Sequence, residues 1–145
     1  MTPAEEMSVN RLVHRYALAL DDGDVDAILA CFAADAHVLF EDGAIVLEGR
    51  AALRAFLRGR PVGSAMHVFG TLLAERQGDH VAVRASALIS TLGSAGTVAM
   101  RGVKYAFKLR GAGEEWSITH LSHRPQWAIN APTMLLGQIA EPIQS

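Results

Sequence analysis

The side chains in this sequence best suited to moving a proton are Asp21, His67 and the phenols Tyr16 and Tyr105. An imidazole acts as a general base near neutral pH, and a carboxylate on its far nitrogen fixes the tautomer and stabilises the imidazolium that forms. Asp21 falls in the last turn of a predicted helix, where the carbonyl ends disfavour a negative charge unless something compensates. It is either a functional group or part of a solvated turn, Asp21-Asp22-Gly23-Asp24, bonded to local backbone. His67 opens a predicted strand with Phe69 on its own face and Met66 and Val68 on the other. It is either a core histidine satisfied by one hydrogen bond or, if Asp21 reaches its ring, a base. Tyr16 lies at the centre of an apolar helical stripe, and Tyr105 shares a strand face with Val103, Phe107 and Leu109. Both are plain core or donors to a ligand oxygen, because a buried phenol needs a partner.

Other chemistries find little support. His120 and His123 are three apart on one predicted strand, hence on opposite faces, so shared metal ligation is not expected. His14, His37 and His80 read as surface or edge residues, and Asp22, Asp24 and Asp26 as caps and solvated charge. Gly-x-Ser-x-Gly and phosphate-binding glycine loops are missing, and Cys31, the single cysteine, falls in an ordinary helical run. Thirteen Lys plus Arg against fifteen Asp plus Glu give a net charge of −2, without the basic excess that nucleic acid requires. Half of the 145 residues are hydrophobic and 19% are charged, too apolar for disorder and too interrupted for a membrane span. Met1-Thr2-Pro3-Ala4-Glu5-Glu6 has neither the basic region nor the apolar run of a secretory signal, which makes the cytoplasm the expected address.

The elements that must position these groups are readable from periodicity. Val9, Leu12, Val13, Tyr16, Ala17 and Leu20 repeat at the three-and-four spacing of one helical stripe. Thr2, Pro3 and Glu5 supply its cap, and Gly23 its stop. Asp24 caps a short second helix carrying Ile28, Leu29 and Phe32 inward and ending near 34–35, and a third runs over 50–58 with Leu53, Phe56 and Leu57 on one face. A hairpin of 36–40 and 44–48 follows the second helix. From residue 65 the period changes to two, predicting strands at 66–76, 80–92, 97–110 and 115–126 separated by glycine-bearing turns. Phe56, Trp116 and Trp127 read as packing residues. Folding such a chain buries about 15,000 Å², enough for one domain over 1–145 without disulfides or metal. Residues 128–145 form a tail that either covers the pocket mouth or packs on a second subunit. The pattern is α+β, with helices on the concave side of a strongly curved, mainly antiparallel sheet around a cone-shaped apolar hollow.

The run Arg15-Tyr16-Ala17-Leu18-Ala19-Leu20-Asp21-Asp22-Gly23-Asp24, then Cys31-Phe32-Ala33-Ala34-Asp35-Ala36 and Glu48-Gly49-Arg50, resembles the NTF2-like superfamily. Within it the chain is most similar to the SnoaL-like branch, which includes scytalone dehydratase and hexachlorocyclohexane dehydrochlorinase. The resemblance spans roughly residues 5–127 and implies a catalytic dyad of Asp21 and His67, no metal or organic cofactor, and a homodimer joined through the outer sheet face. It turns His123 toward the pocket together with Leu121 and Thr119, and places Phe40, Phe69, Leu121 and His123 around the substrate. Three departures accompany it. Tyr105 stands where the dehydratase has its second histidine. Tyr16 and Leu121 stand where the dehydrochlorinase has a lysine and an arginine. Phe40 stands where ketosteroid isomerase has its base, although Tyr16 matches that enzyme's oxyanion tyrosine.

Together these readings lead to a cofactor-independent lyase or isomerase acting on a small apolar carbonyl or hydroxylated cyclic compound, with no nucleic acid or membrane partner. The rival expectation is a non-catalytic ligand-binding or assembly module with the same fold. The two differ in one geometric requirement, an Asp21 carboxylate within about 3.2 Å of the His67 ring, open to a cavity.

Overall fold

The computed structural model describes residues 1–60, 65–93 and 96–132. The chain begins with helix α1 (Pro3–Asp22), whose first turn is closed by a reciprocal pair of bonds. The Thr2 hydroxyl accepts from the Glu5 N–H at 3.1 Å, and the Glu5 carboxylate accepts from the Thr2 N–H at 3.0 Å. Gly23, in the left-handed region at φ 65°, ends the helix. Its buried stripe of Val9, Leu12, Val13, Tyr16 and Ala17 is the expected one. Helix α2 (Val25–Ala30) is capped by the Asp24 side chain but is shorter than expected, ending before Cys31. Phe32 is therefore not a helical residue. It opens strand β1 (Phe32–Phe40), pairing with Ile118, because a β-branched and aromatic partner strand wins over the helical run of the local sequence.

A tight turn at Glu41–Gly43 joins β1 to β2 (Ile45–Glu48), and α3 (Gly49–Arg58) follows. The four long strands are β3 (Ala65–Gln77), β4 (His80–Leu92), β5 (Thr97–Ala112) and β6 (Glu115–Pro132). They meander antiparallel, while β1 joins β6 in parallel, giving the order β2-β1-β6-β5-β4-β3 in one open, curved sheet. Strand β6 continues to Pro132, so the expected tail at 128 begins as sheet, and 133–145 lies outside the described residues. Residues 61–64, which include the expected helix breaker Pro61, lie outside them too.

The core fills the concave side. Inward residues alternate along β4 (Val81, Val83, Ala85, Ala87, Ile89) and β5 (Val103, Tyr105, Phe107, Leu109), and the Tyr16 ring meets Phe32 and Phe107 edge-on at 5.5 and 6.1 Å. Small alanines at 85 and 87 leave room for the aromatic cluster of Phe69, Tyr105 and Phe107. A bulge near Thr119 shifts the alternation of β6, so that buried Ile118, rather than Thr119, shares the inner side with Leu121 and His123. On the outer side, the Trp127 ring lies across Gly102 where any Cβ would overlap it.

The β5–β6 turn is the tightest point of the meander. At Gly111 an added Cβ would overlap the Glu115 carbonyl oxygen and approach the Trp116 Cα to 2.7 Å, whereas Gly113, at φ 61°, has open space around it. Gly113→Ala should cost about 1 kcal/mol from the left-handed backbone alone. Gly111→Ala should cost on the order of 3 kcal/mol because backbone must move. Thermal denaturation followed by circular dichroism will rank the two, and equal melting temperatures would contradict this account.

Candidate active site

Asp21 and His67 are brought together at the junction of α1 and β3. The Asp21 Oδ1 lies 2.7 Å from the His67 Nδ1 and also accepts the His67 backbone N–H at 2.9 Å. Because β3 is an edge strand, the outward N–H groups at its open side lack a neighbouring strand, and Asp21 satisfies one of them. The two donors supply the compensation that a carboxylate at a helix C-terminus requires. With side chains only 10% and 22% exposed, His67 and Asp21 are largely withdrawn from water. Since an ionised carboxylate only accepts, Nδ1 carries the proton and Nε2 holds the lone pair of the neutral ring.

His67 lines a cavity of about 300 Å³. Tyr16, Phe40, Tyr105 and His123 line it as well. Phe69 and Leu121, expected beside the substrate, are not among the lining residues. Phe69 supports the Tyr105 ring from behind at 4.8 Å, and Leu121 is 1% exposed in the packed core. Phe56, read as packing, forms part of the wall and stacks on Phe40 at 5.3 Å. Burial pushes the Tyr16 hydroxyl well above its ordinary pKa, and that of Tyr105 rises for the same reason, so both phenols stay protonated. Burial likewise raises the Cys31 thiol, which donates to the Ala27 carbonyl at 3.5 Å.

The same cavity holds a second polar group that sequence reasoning missed in large part. His123 is 5% exposed, and its Nδ1 accepts the Glu41 backbone N–H at 3.2 Å. Its Nε2 lies 3.1 Å from Nη2 of Arg101, which also donates to the Glu41 carboxylate at 3.0 Å. Arg101, Glu41 and Arg60 all line the cavity. The signal for Arg101 was present in the sequence: it has the same parity as Val103, Tyr105 and Phe107, a cation on an otherwise apolar strand face. Glu41 read only as part of a hairpin turn, and nothing local marks it. Both Glu41 and Asp42 have positive φ, at 52° and 55°, a conformation costing roughly 1–2 kcal/mol per residue, and His123 and Arg101 pin the turn from inside.

The remaining histidines lie outside the cavity. His120 projects from the opposite side of β6 to His123, beside His37, whose Nδ1 pairs with Glu48. His14 is exposed, and His80 sits beside Asp79. Among the described residues no group of three or more His, Cys, Asp or Glu is placed to hold a metal ion. No described helix is long and apolar enough to cross a membrane.

Residues 3–122 match the model of the SnoaL-like domain, and the chain belongs to that family. A search of curated proteins finds no match. Solved structures with the same fold include a proposed scytalone dehydratase from Novosphingobium aromaticivorans, with a TM-score of 0.78 and 16% identity over 95% of each chain. A type 2 hexachlorocyclohexane dehydrochlorinase (LinA) matches with a TM-score of 0.76 and 14% identity, covering 97% of this chain and 96% of that one. An NTF2-like protein with a cystatin-like fold, also from N. aromaticivorans, matches with a TM-score of 0.71 and 21% identity over 83% of this chain and 80% of that one. At these identities the likeness shows the NTF2-like fold.

His123 makes the fold acid-sensitive. Burial, and secondarily the Arg101 cation, lower its pKa to about 4, with Glu41 opposing and His67 adding to the depression. In the unfolded chain a histidine titrates near 6.5, so between about pH 6.5 and 4 the unfolded state binds more protons and stability falls as pH falls. The loss is at most about 3 kcal/mol. Denaturant titrations across this window should show a steep acid limb in the wild type and a flatter one in His123→Gln, and identical slopes would refute the assignment.

Proposed function

We propose that the protein is a cofactor-independent lyase or isomerase that uses His67 as general base and Asp21 as its positioning carboxylate. The observation supporting this most directly is the 2.7 Å contact between Asp21 Oδ1 and His67 Nδ1 at the wall of the cavity. The Nε2 lone pair removes a proton from a carbon next to a carbonyl, or from one next to a carbon bearing a hydroxyl. Asp21 stabilises the imidazolium until the proton is returned to another carbon or to a departing oxygen. Tyr16 and Tyr105 donate to the oxygen on which negative charge gathers, and Phe40, Phe56, Leu57 and Ile89 keep water away so that these bonds act at full strength. A non-catalytic binder would need no carboxylate on the base, and a core histidine would not line a cavity.

Proton exchange tests the base without knowledge of the physiological substrate. In deuterium oxide the protein should catalyse deuterium incorporation beside the carbonyl of cyclic ketones such as 3-hydroxycyclohexanone, followed by NMR. His67→Ala should lose on the order of a hundred- to ten-thousandfold of that rate with its circular dichroism unchanged. Asp21→Asn should fall nearly as far, because its amide oxygen can keep both bonds but not the charge. Undiminished exchange in folded variants would sink the mechanism.

We infer further that a second copy of the chain covers the outer sheet face. Two cross-strand rows there are mostly apolar: Val68, Leu88, Gly102 and Trp127 in one, Met66, Ser90, Met100 and Ile129 in the next. Val68, Leu88, Trp127, Met66 and Ile129 are all among the exposed large hydrophobic residues, a contiguity that isolated monomers rarely leave uncovered. Sedimentation velocity should give a dimer for the wild type and a monomer for Leu88→Asp. A wild-type monomer at micromolar concentration would overturn the inference.

A further inference from the structure

The side of the cavity facing His123 has donors to spare. A neutral imidazole has one acceptor nitrogen and one N–H, yet two fixed donors address this ring: the Glu41 N–H at Nδ1 and Arg101 Nη2 at Nε2. The Glu41 contact has good hydrogen-bond geometry, which leaves the proton on Nε2, where it faces the Arg101 N–H across 3.1 Å. Neither of these two hydrogens can satisfy the other. A guanidinium carries five N–H donors, and the contacts of Arg101 with described residues all involve Nη2. Its Nε is buried without a partner among the described residues. Arg60 adds a second cation to the lining, its Cζ 4.6 Å above the Phe56 ring. Among the described residues the lining offers one carboxylate, Glu41, against these two cations, and the other nearby carboxylate, Asp21, is engaged by His67, so positive charge gathers beside the stacked Phe40–Phe56 wall.

We propose that the cavity takes an aromatic or alicyclic carboxylate, whose ring lies against Phe40 and Tyr105 and whose carboxylate is received by the Arg101 guanidinium together with the His123 Nε2–H. An anionic oxygen between Arg101 and His123 accepts from both and relieves the opposed hydrogens. The planar fork of the guanidinium suits a carboxylate in two-point contact. His123 stays a donor there because burial keeps it neutral with its Nδ1 engaged. The proposal rests on and deepens the reading of His67 as base by naming the group in the same cavity that anchors the substrate, but binding of the acid does not itself require catalysis.

Isothermal titration with benzoate and with benzamide, its uncharged counterpart of the same shape, tests it at neutral pH. Wild type should bind benzoate at least about tenfold more tightly than benzamide, a preference worth about 1.4 kcal/mol. Arg101→Gln should abolish the preference and Arg101→Lys should retain part of it. Equal affinities, failure of benzoate to bind at about 10 mM, or a preference that survives in folded Arg101→Gln would overturn the proposal. The wild-type comparison stands even if a variant fails to fold. His67→Ala should keep the preference, which separates the two readings. If exchange proves independent of His67 while the preference holds, only the catalytic reading fails. If exchange requires His67 while the preference is missing, only the anion site fails.

Discussion

One carboxylate oxygen, Oδ1 of Asp21, receives both the ring N–H and the backbone N–H of His67, and the geometry of the cavity follows from that pair of hydrogen bonds. It fixes the end of α1 to the start of β3, sets the direction of the His67 ring, and offsets a negative charge that the helix terminus alone would disfavour. Neither element is replaceable in this arrangement. The helix supplies a rigid, capped platform from Thr2 to Gly23, and the edge strand supplies a donor that no neighbouring strand claims.

The two sides of the cavity are chemically unlike. Around His67 the arrangement is balanced, each donor matched by an acceptor. Around His123 it is not, since Arg101 and the imidazole both present hydrogens while the Glu41 carboxylate reaches only one guanidinium nitrogen. The tense turn at Glu41 and Asp42 belongs to this second side, held inward by the same two residues. Tyr105, which lines the cavity, meets the His123 ring edge-on and stacks on Phe107 beneath it.

Much of this was legible beforehand, for identifiable reasons. The stripe from Val9 to Leu20 and the capping residues around Thr2 announce α1, and period two from residue 65 announces the meander. These are strong signals because long elements repeat them many times. Asp21 and His67 stood out because a carboxylate at a helix end and a histidine in an apolar strand each need a reason, and the family resemblance supplied one. The misreadings are local. Phe32 followed a helical run but was recruited by Ile118, a partner 86 positions away that no short-range pattern reveals. Thr119 lost its place to a bulge. Arg101 carried a readable signal in its parity, whereas Glu41 acquires its role only when the hairpin folds against β5 and β6. Phe69 and Leu121 have the right face but the wrong depth, and depth depends on curvature, which alternation does not encode.

The pairing of β1 with β6 constrains how the molecule is assembled. The helices and the first hairpin supply half of the cavity lining; α1 meets the meander at β3 through Asp21, but the hairpin joins the sheet only through β6, the last described strand. During synthesis from the N-terminus, β1 therefore emerges with one edge unfilled and waits for some eighty further residues before its neighbour exists. Contacts between such distant segments form slowly, and an unclaimed strand edge is the part of a nascent chain most prone to engage a wrong partner.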